Sequence, residues 1–247
     1  MSVYDAFAKI IVDELSNILL KGFEENKKDL GEVARNFLFE IEGPTSLNGN
    51  FSIRQKHIYK LFKGFSEIVD SKDNLKDISY YMAVYPYQNK NLSRSRNLVY
   101  HIENYFNEIY ILKMRLLEYS KIIARSYRNE ISQNPKDFYE KINLEVVRTL
   151  SCLTEIRGKH VHIARYEHDD LRRLHQLQMF ARHQEKNNEM KLWGDYFNFK
   201  YRETRTKWKK TFIANNENII KLLNRYFEKL IPIISENYKF KYPTKML

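Results

Sequence analysis

Between positions 157 and 162 the chain reads Arg157-Gly158-Lys159-His160-Val161-His162, a short run dominated by guanidinium, ammonium and imidazole groups. An imidazole is the side chain whose ordinary pKa lies near neutrality, so His162 is the candidate for moving a proton to or from a reacting oxygen. A guanidinium is planar and permanently charged. It offers paired N–H donors to a phosphate whose negative charge grows in a five-coordinate transition state, and Arg157 fits that role. Together the two suit metal-free cleavage of RNA, in which a ribose 2′-hydroxyl attacks the adjoining phosphate and the leaving 5′-oxygen takes up a proton. Lys159 and His160 would hold neighbouring phosphates or move the pKa of His162 by like-charge repulsion. Arg165 is a further candidate phosphate contact just downstream.

The spacing carries a geometric condition. On an unbroken helix, positions five apart lie about 140° from each other around the axis, so Arg157 and His162 would point to different sides. Gly158 weakens a helix at this point by about 1 kcal/mol relative to Ala. The pattern predicts a helix from Pro135 to about Ile156, and an end or kink at Gly158 would bring both side chains to one surface.

Other constellations compete with this one. His160, His162 and His168 beside Asp169 and Asp170 could be read as a metal site, and His168-Asp169 evokes the HD phosphohydrolases. Such sites draw further His and Asp ligands from separate helices, and neither His57 nor His101 has a matching context. No metal and no cofactor is expected. The tract from Asn198 to Phe212 holds Lys200, Arg202, Arg205, Lys207, Lys209 and Lys210 against the single acid Glu203, with Phe199, Tyr201 and Trp208 among them. It reads either as a surface that stacks bases and contacts phosphates or as a solvated face whose rings enter the core. Lys200, Arg202 and Arg205 are its candidate substrate contacts. Cys152, the single cysteine, is expected to be a small buried apolar residue rather than a nucleophile, since no Cys-His pairing is evident.

The elements that must position these groups follow from composition and period. With 247 residues the chain is long enough for a self-sufficient core, and its 7 Gly and 5 Pro punctuate it sparsely, so long helices are the natural reading. One cysteine excludes an intramolecular disulfide framework and points to a reducing cytosol. The first twenty residues lack the pattern of a signal peptide, and no window approaches the ~20 uninterrupted apolar residues that a membrane span requires. The net charge of +11 favours an anionic partner through a screened long-range field.

Val3, Phe7, Ile10, Ile11, Leu15, Ile18 and Leu19 make a first amphipathic helix. Glu32 to Ile41 reads as helical, 43–50 as a loop, and Ile53 to Val69 as a further helix. Residues 70 to 91 read as an insertion or linker, with a turn at Ser71-Lys72-Asp73-Asn74 and a break at Tyr85-Pro86-Tyr87. The strongest period runs from Leu98 to Arg128. Asp169 to Gln184 reads as helical, 193–212 as mixed, and Asn216 to Tyr238 as a last helix. The division expected is an N-terminal helical extension, 1–91, and a helical bundle, 92–247.

On Arg157 and His162, set at the end of a helix in a basic all-helical chain, residues Leu98 to Tyr238 resemble the HEPN superfamily, whose hallmark is an Arg and a His separated by four to six residues. The resemblance implies an up-and-down helical bundle that pairs as a homodimer, with two Arg-His motifs meeting in a cleft between subunits. It implies a metal-independent endoribonuclease acting on RNA in a toxin or phage-defence setting in the cytoplasm, restrained by an antitoxin or other regulatory protein, with Arg157 and His162 as the catalytic pair. Glu103 or Glu108 of the preceding long helix would orient the Arg or the His. Members often carry Asn, Asp or His directly after the Arg, where this chain has Gly158. The alternative is a non-catalytic helical module that uses the same basic surface to bind RNA or nucleotides; a third reading is a partner-binding protein.

Overall fold

A computed structural model of the chain describes residues 2–26, 52–82, 93–131, 134–162, 169–183 and 190–244. The protein is an all-α helical bundle. Its helices are α1 (Val3–Asn26), α2 (Ile53–Tyr81), α3 (Arg94–Ser126), α4 (Pro135–His162), α5 (Asp169–His183) and α6 (Met190–Ile234), followed by a minimal hairpin of β1 (Ser235–Glu236) and β2 (Lys239–Phe240). The segments read from sequence as a helix at 32–41, a loop at 43–50 and a break at 85–87 lie outside the described residues.

The first four helix starts have a polar cause. Ser2 and Asp5 exchange side-chain and backbone hydrogen bonds at α1, as do Ser52 and Gln55 at α2, so two otherwise unpaired N–H groups are satisfied at each end. The Ser93 hydroxyl accepts from the Arg96 N–H at α3. Asn134 caps α4 by accepting from Lys136 N–H, with Pro135 in the first turn, where its missing donor costs nothing. After α6 the chain reverses through Asn237 and Tyr238, at φ 50° and 60°, which pairs Ser235 with Phe240 and Glu236 with Lys239.

Three elements differ from the sequence expectation. The turn expected at 71–74 is helix, because the buried stripe of α2 continues from Ile68 through Ser71 to Leu75, Ser79 and Met82. Serine is tolerated there because its hydroxyl can bond within the helix, as Ser79 does to the Leu75 carbonyl at 2.9 Å. The mixed segment 193–212 and the last helix are one helix, α6. Asn216 does not interrupt it, since its side chain accepts from the Tyr105 hydroxyl at 2.7 Å and donates to Ser79 Oγ at 3.3 Å. That helix ends at Ile234 rather than Tyr238, two residues after Pro232.

The contacts divide the chain into two compact units. The first comprises 1–69, 115–146 and 221–247, so the beginning and end of the chain share one core. Phe7 of α1 lies at its centre, with ring centroids 4.4 Å from Phe227, 5.4 Å from Phe65 and 6.2 Å from Tyr119. Burying a ring of this size contributes roughly 1.5–3 kcal/mol. The buried Tyr226 hydroxyl donates to the Leu116 carbonyl at 2.7 Å.

The second unit comprises 70–114 and 147–220. Tyr105 stacks on Phe212 with centroids 3.7 Å apart and planes 9° from parallel, and Trp208 meets Phe106 edge-on at 6.2 Å. Among the described residues no helix is long and apolar enough to cross a membrane.

Candidate functional site

α4 runs without interruption through Gly158 to His162. The helix end expected at Gly158 is therefore absent, since the intrinsic penalty of about 1 kcal/mol for glycine is too small to end a helix on its own. Arg157, Lys159, His160 and His162 ride the last turns of α4, in the stretch belonging to the second unit. Positions 157 and 162 are about 140° apart around the axis. The side chains of 156–162 lie outside the described part of the structure, and so does Arg165 altogether. Glu103 and Glu108 are half-buried on α3.

The basic tract of α6 resolves into two faces. Tyr201, Trp208 and Phe212 are buried, so three of its rings serve the core, while Phe199 is 61% exposed. Arg202 and Arg205 lie about 60° apart on one side of the helix, and Lys200 lies about 140° or more from both. The three are not brought to a common face. The Arg205 guanidinium sits over the Tyr201 ring, 5.7 Å from its centroid, and Arg202 is exposed.

Lys200 instead faces α5 and borders a cleft of about 340 Å³. α5 and α6 run past each other turn by turn. Lys207 pairs with Asp170 at 2.6 Å, Leu174 and Thr204 are the cleft's buried lining, and Leu177, Tyr196 and Lys200 also line it. One turn beyond, the exposed rings of Phe180 and Trp193 meet at 6.1 Å. Thr204 is the small residue in this seam, and its short side chain leaves the space open. The carboxylate of Glu203, 2.8 Å from the Lys200 ammonium, raises the pKa of that lysine and holds its charge in place. Among the described residues Arg173, also on the rim, forms no ion pair.

Arg173, Tyr196 and Thr204 were not singled out from the sequence. Their signal was present as the spacing 196, 200, 204, 207 on one helix and 170, 174, 177 on another, but it emerges only when 193–212 is read as continuous helix.

The remaining candidates are placed away from this chemistry. Asp169 pairs with Arg172 at 2.8 Å, so both carboxylates of the alternative metal reading face cations. Burial, reinforced by Lys60, lowers the pKa of His57 to about 4, and burial also lowers that of His101, which leaves both imidazoles neutral near pH 7. Cys152 is exposed, contrary to expectation, because its position on α4 falls outside the buried stripe of Ile142, Val146 and Leu150. Compared with protein-family models, with curated proteins and with solved structures, the chain matches none.

Proposed function

We propose that the protein is a metal-independent endoribonuclease of the HEPN type, working as a pair of identical chains in a toxin or phage-defence setting. The ribose 2′-oxygen bonds to phosphorus, the bond to the 5′-oxygen breaks, and His162 carries the proton while Arg157 stabilises the phosphate. The observation that carries this reading is the concentration of Arg157, Lys159, His160 and His162 on the terminal turns of one helix in a basic, all-α chain. The test is RNA incubated with purified protein in EDTA. Fragments ending in 2′,3′-cyclic phosphate are expected from the native chain and not from His162→Ala; equal RNA survival with both removes the assignment.

The continuity of α4 favours a second reading, in which positions 157 and 162, on different sides of the helix, hold separate phosphates of a bound RNA without cutting it. Steeply salt-dependent binding with no cleavage product would select it.

A further inference from the structure

The cleft between α5 and α6 has the chemistry of a nucleotide site. Its floor, Leu174 and Thr204, is buried and carries one hydroxyl, while its wall includes the Tyr196 ring, 44% exposed. A flat heterocycle is the kind of group that fills such a slot, since every base has a π-face to set against an aromatic ring. The rim supplies cations: Arg173, and Lys200 with its ammonium held by Glu203. The paired Lys207 and Asp170 line the slot, and one helical turn from its Leu177 and Tyr196 are the rings of Phe180 and Trp193, whose exposure of 56% and 39% leaves them open to a neighbouring base. A second copy of the chain is a poorer occupant, because five of the nine lining residues are charged and the centres of interfaces between copies are depleted in charge.

We propose that this cleft seats one nucleotide of a single-stranded RNA, with its base against Tyr196 over Leu174 and Thr204 and its phosphate at Arg173 and Lys200. The strand must be single, because a base enters a slot of this kind only when it is unpaired and unstacked. The site deepens the nuclease reading, resting on RNA as the substrate class, and lies on helices other than the one that carries Arg157 and His162.

The test uses the full chain and a fluorescent 2′-O-methyl oligoribonucleotide, which offers no 2′-hydroxyl for attack and so reports binding alone. Tyr196→Ala is expected to weaken binding about tenfold. Arg173→Gln is expected to weaken it about fivefold and to reduce the slope of log affinity against log salt by about one. Thr204→Leu fills the floor and acts in the same direction. Lys239→Gln, an exposed charge in the first unit, is expected to change affinity less than about twofold. Unchanged binding by both Tyr196→Ala and Arg173→Gln overturns the proposal. So does AMP or UMP binding that these variants abolish while oligonucleotide binding persists, since the cleft would then serve free nucleotides. Cleavage of unmodified RNA separates this site from the nuclease reading. If the native chain cuts and the cleft variants keep its KM, the cleft falls and the nuclease stands; if nothing is cut and the variants still lose RNA, the reverse holds.

Discussion

The Nε2 of His57 lies 3.1 Å from the Tyr127 hydroxyl, and it is the imidazole that donates, because the hydroxyl's own proton goes to the Lys241 carbonyl at 2.8 Å. The relay ties α2, the end of α3 and the segment after the hairpin together inside a shell of Phe240 and Tyr242 rings. It requires a proton on Nε2, while burial, with the Lys60 charge nearby, disfavours a second proton on Nδ1 and keeps the ring neutral. The pKa of His57 is about 4 in the folded chain against 6.5 ordinarily, so between these values the unfolded chain binds more protons. The contribution of His57 to stability is therefore complete above about pH 6.5 and lost as pH falls toward 4. Urea unfolding near pH 7 and near pH 4.5 should show native protein losing about 2 kcal/mol more than His57→Gln, whose amide still donates but does not titrate. Equal losses would remove this account.

Gly64 of α2 packs against the ring of Tyr119. A Cβ at position 64 would sit 2.6 Å from Cδ2 and 3.0 Å from Cε2, and Tyr119 is 1% exposed, so the ring has little room to yield. Alanine gains about 1 kcal/mol of helix propensity but meets an overpacking cost of about 1–3 kcal/mol. Gly64→Ala is expected to destabilise the protein by about 1 kcal/mol in urea unfolding. In a Tyr119→Leu background, where the ring is gone, the same substitution should become neutral or stabilising.

Gln178 of α5 caps α3 from outside. Its Oε1 accepts from the Ser93 hydroxyl at 2.6 Å, the Ser95 hydroxyl at 2.7 Å and the Ser95 N–H at 3.0 Å, in a site where Ser95 and Gln178 are buried. With the Ser95 proton used in this way, the contact of 3.1 Å to His175 Nδ1 is a donation from the imidazole. Gln178→Ala strands these donors and is expected to cost about 2–3 kcal/mol, measured as a shift in urea midpoint with unchanged slope.

Where periodicity alone decides, the sequence was legible: Phe7, Ile10 and Ile11 of α1, and Ile102 through Ile123 of α3, are buried as their spacing requires. It misled where a polar residue serves a core. Ser71 reads as part of a turn and Asn216 as a helix boundary, yet Ser71 is buried on α2 and the Asn216 side chain bonds to Tyr105 and Ser79. The cleft was hidden for a related reason, since opposing Asp170 to Lys207 and Leu174 to Thr204 depends on how two helices pass each other rather than on either alone.

Cys152 illustrates the limit of composition-based reading. Cysteine is among the most buried residue types, yet here it lies on the exposed side of α4. Native protein should therefore titrate one thiol with an aromatic disulfide reagent without denaturant, and Cys152→Ser should alter stability by less than about 0.5 kcal/mol. A thiol that reacts only after unfolding would contradict the placement.

The unbroken course of α4 bears directly on how an Arg157-His162 nuclease would have to be built. Positions about 140° apart on one helix lie on different sides of it, so under the proposed reading a working site would draw its guanidinium and its imidazole from different copies of the chain. Arg157→Ala and His162→Ala should each be inactive alone. Mixed in equal amounts and allowed to exchange subunits, half of the dimers pair one chain of each kind, and each such dimer rebuilds one of its two sites. RNA cleavage should then recover to about a quarter of the native rate. Recovery at this level would also make activity fall on dilution through the dimer dissociation constant. A mixture that stays inactive while subunits exchange freely would place both groups in one chain and require α4 to bend at Gly158 when RNA binds, in which case Gly158→Ala should abolish cleavage rather than preserve it.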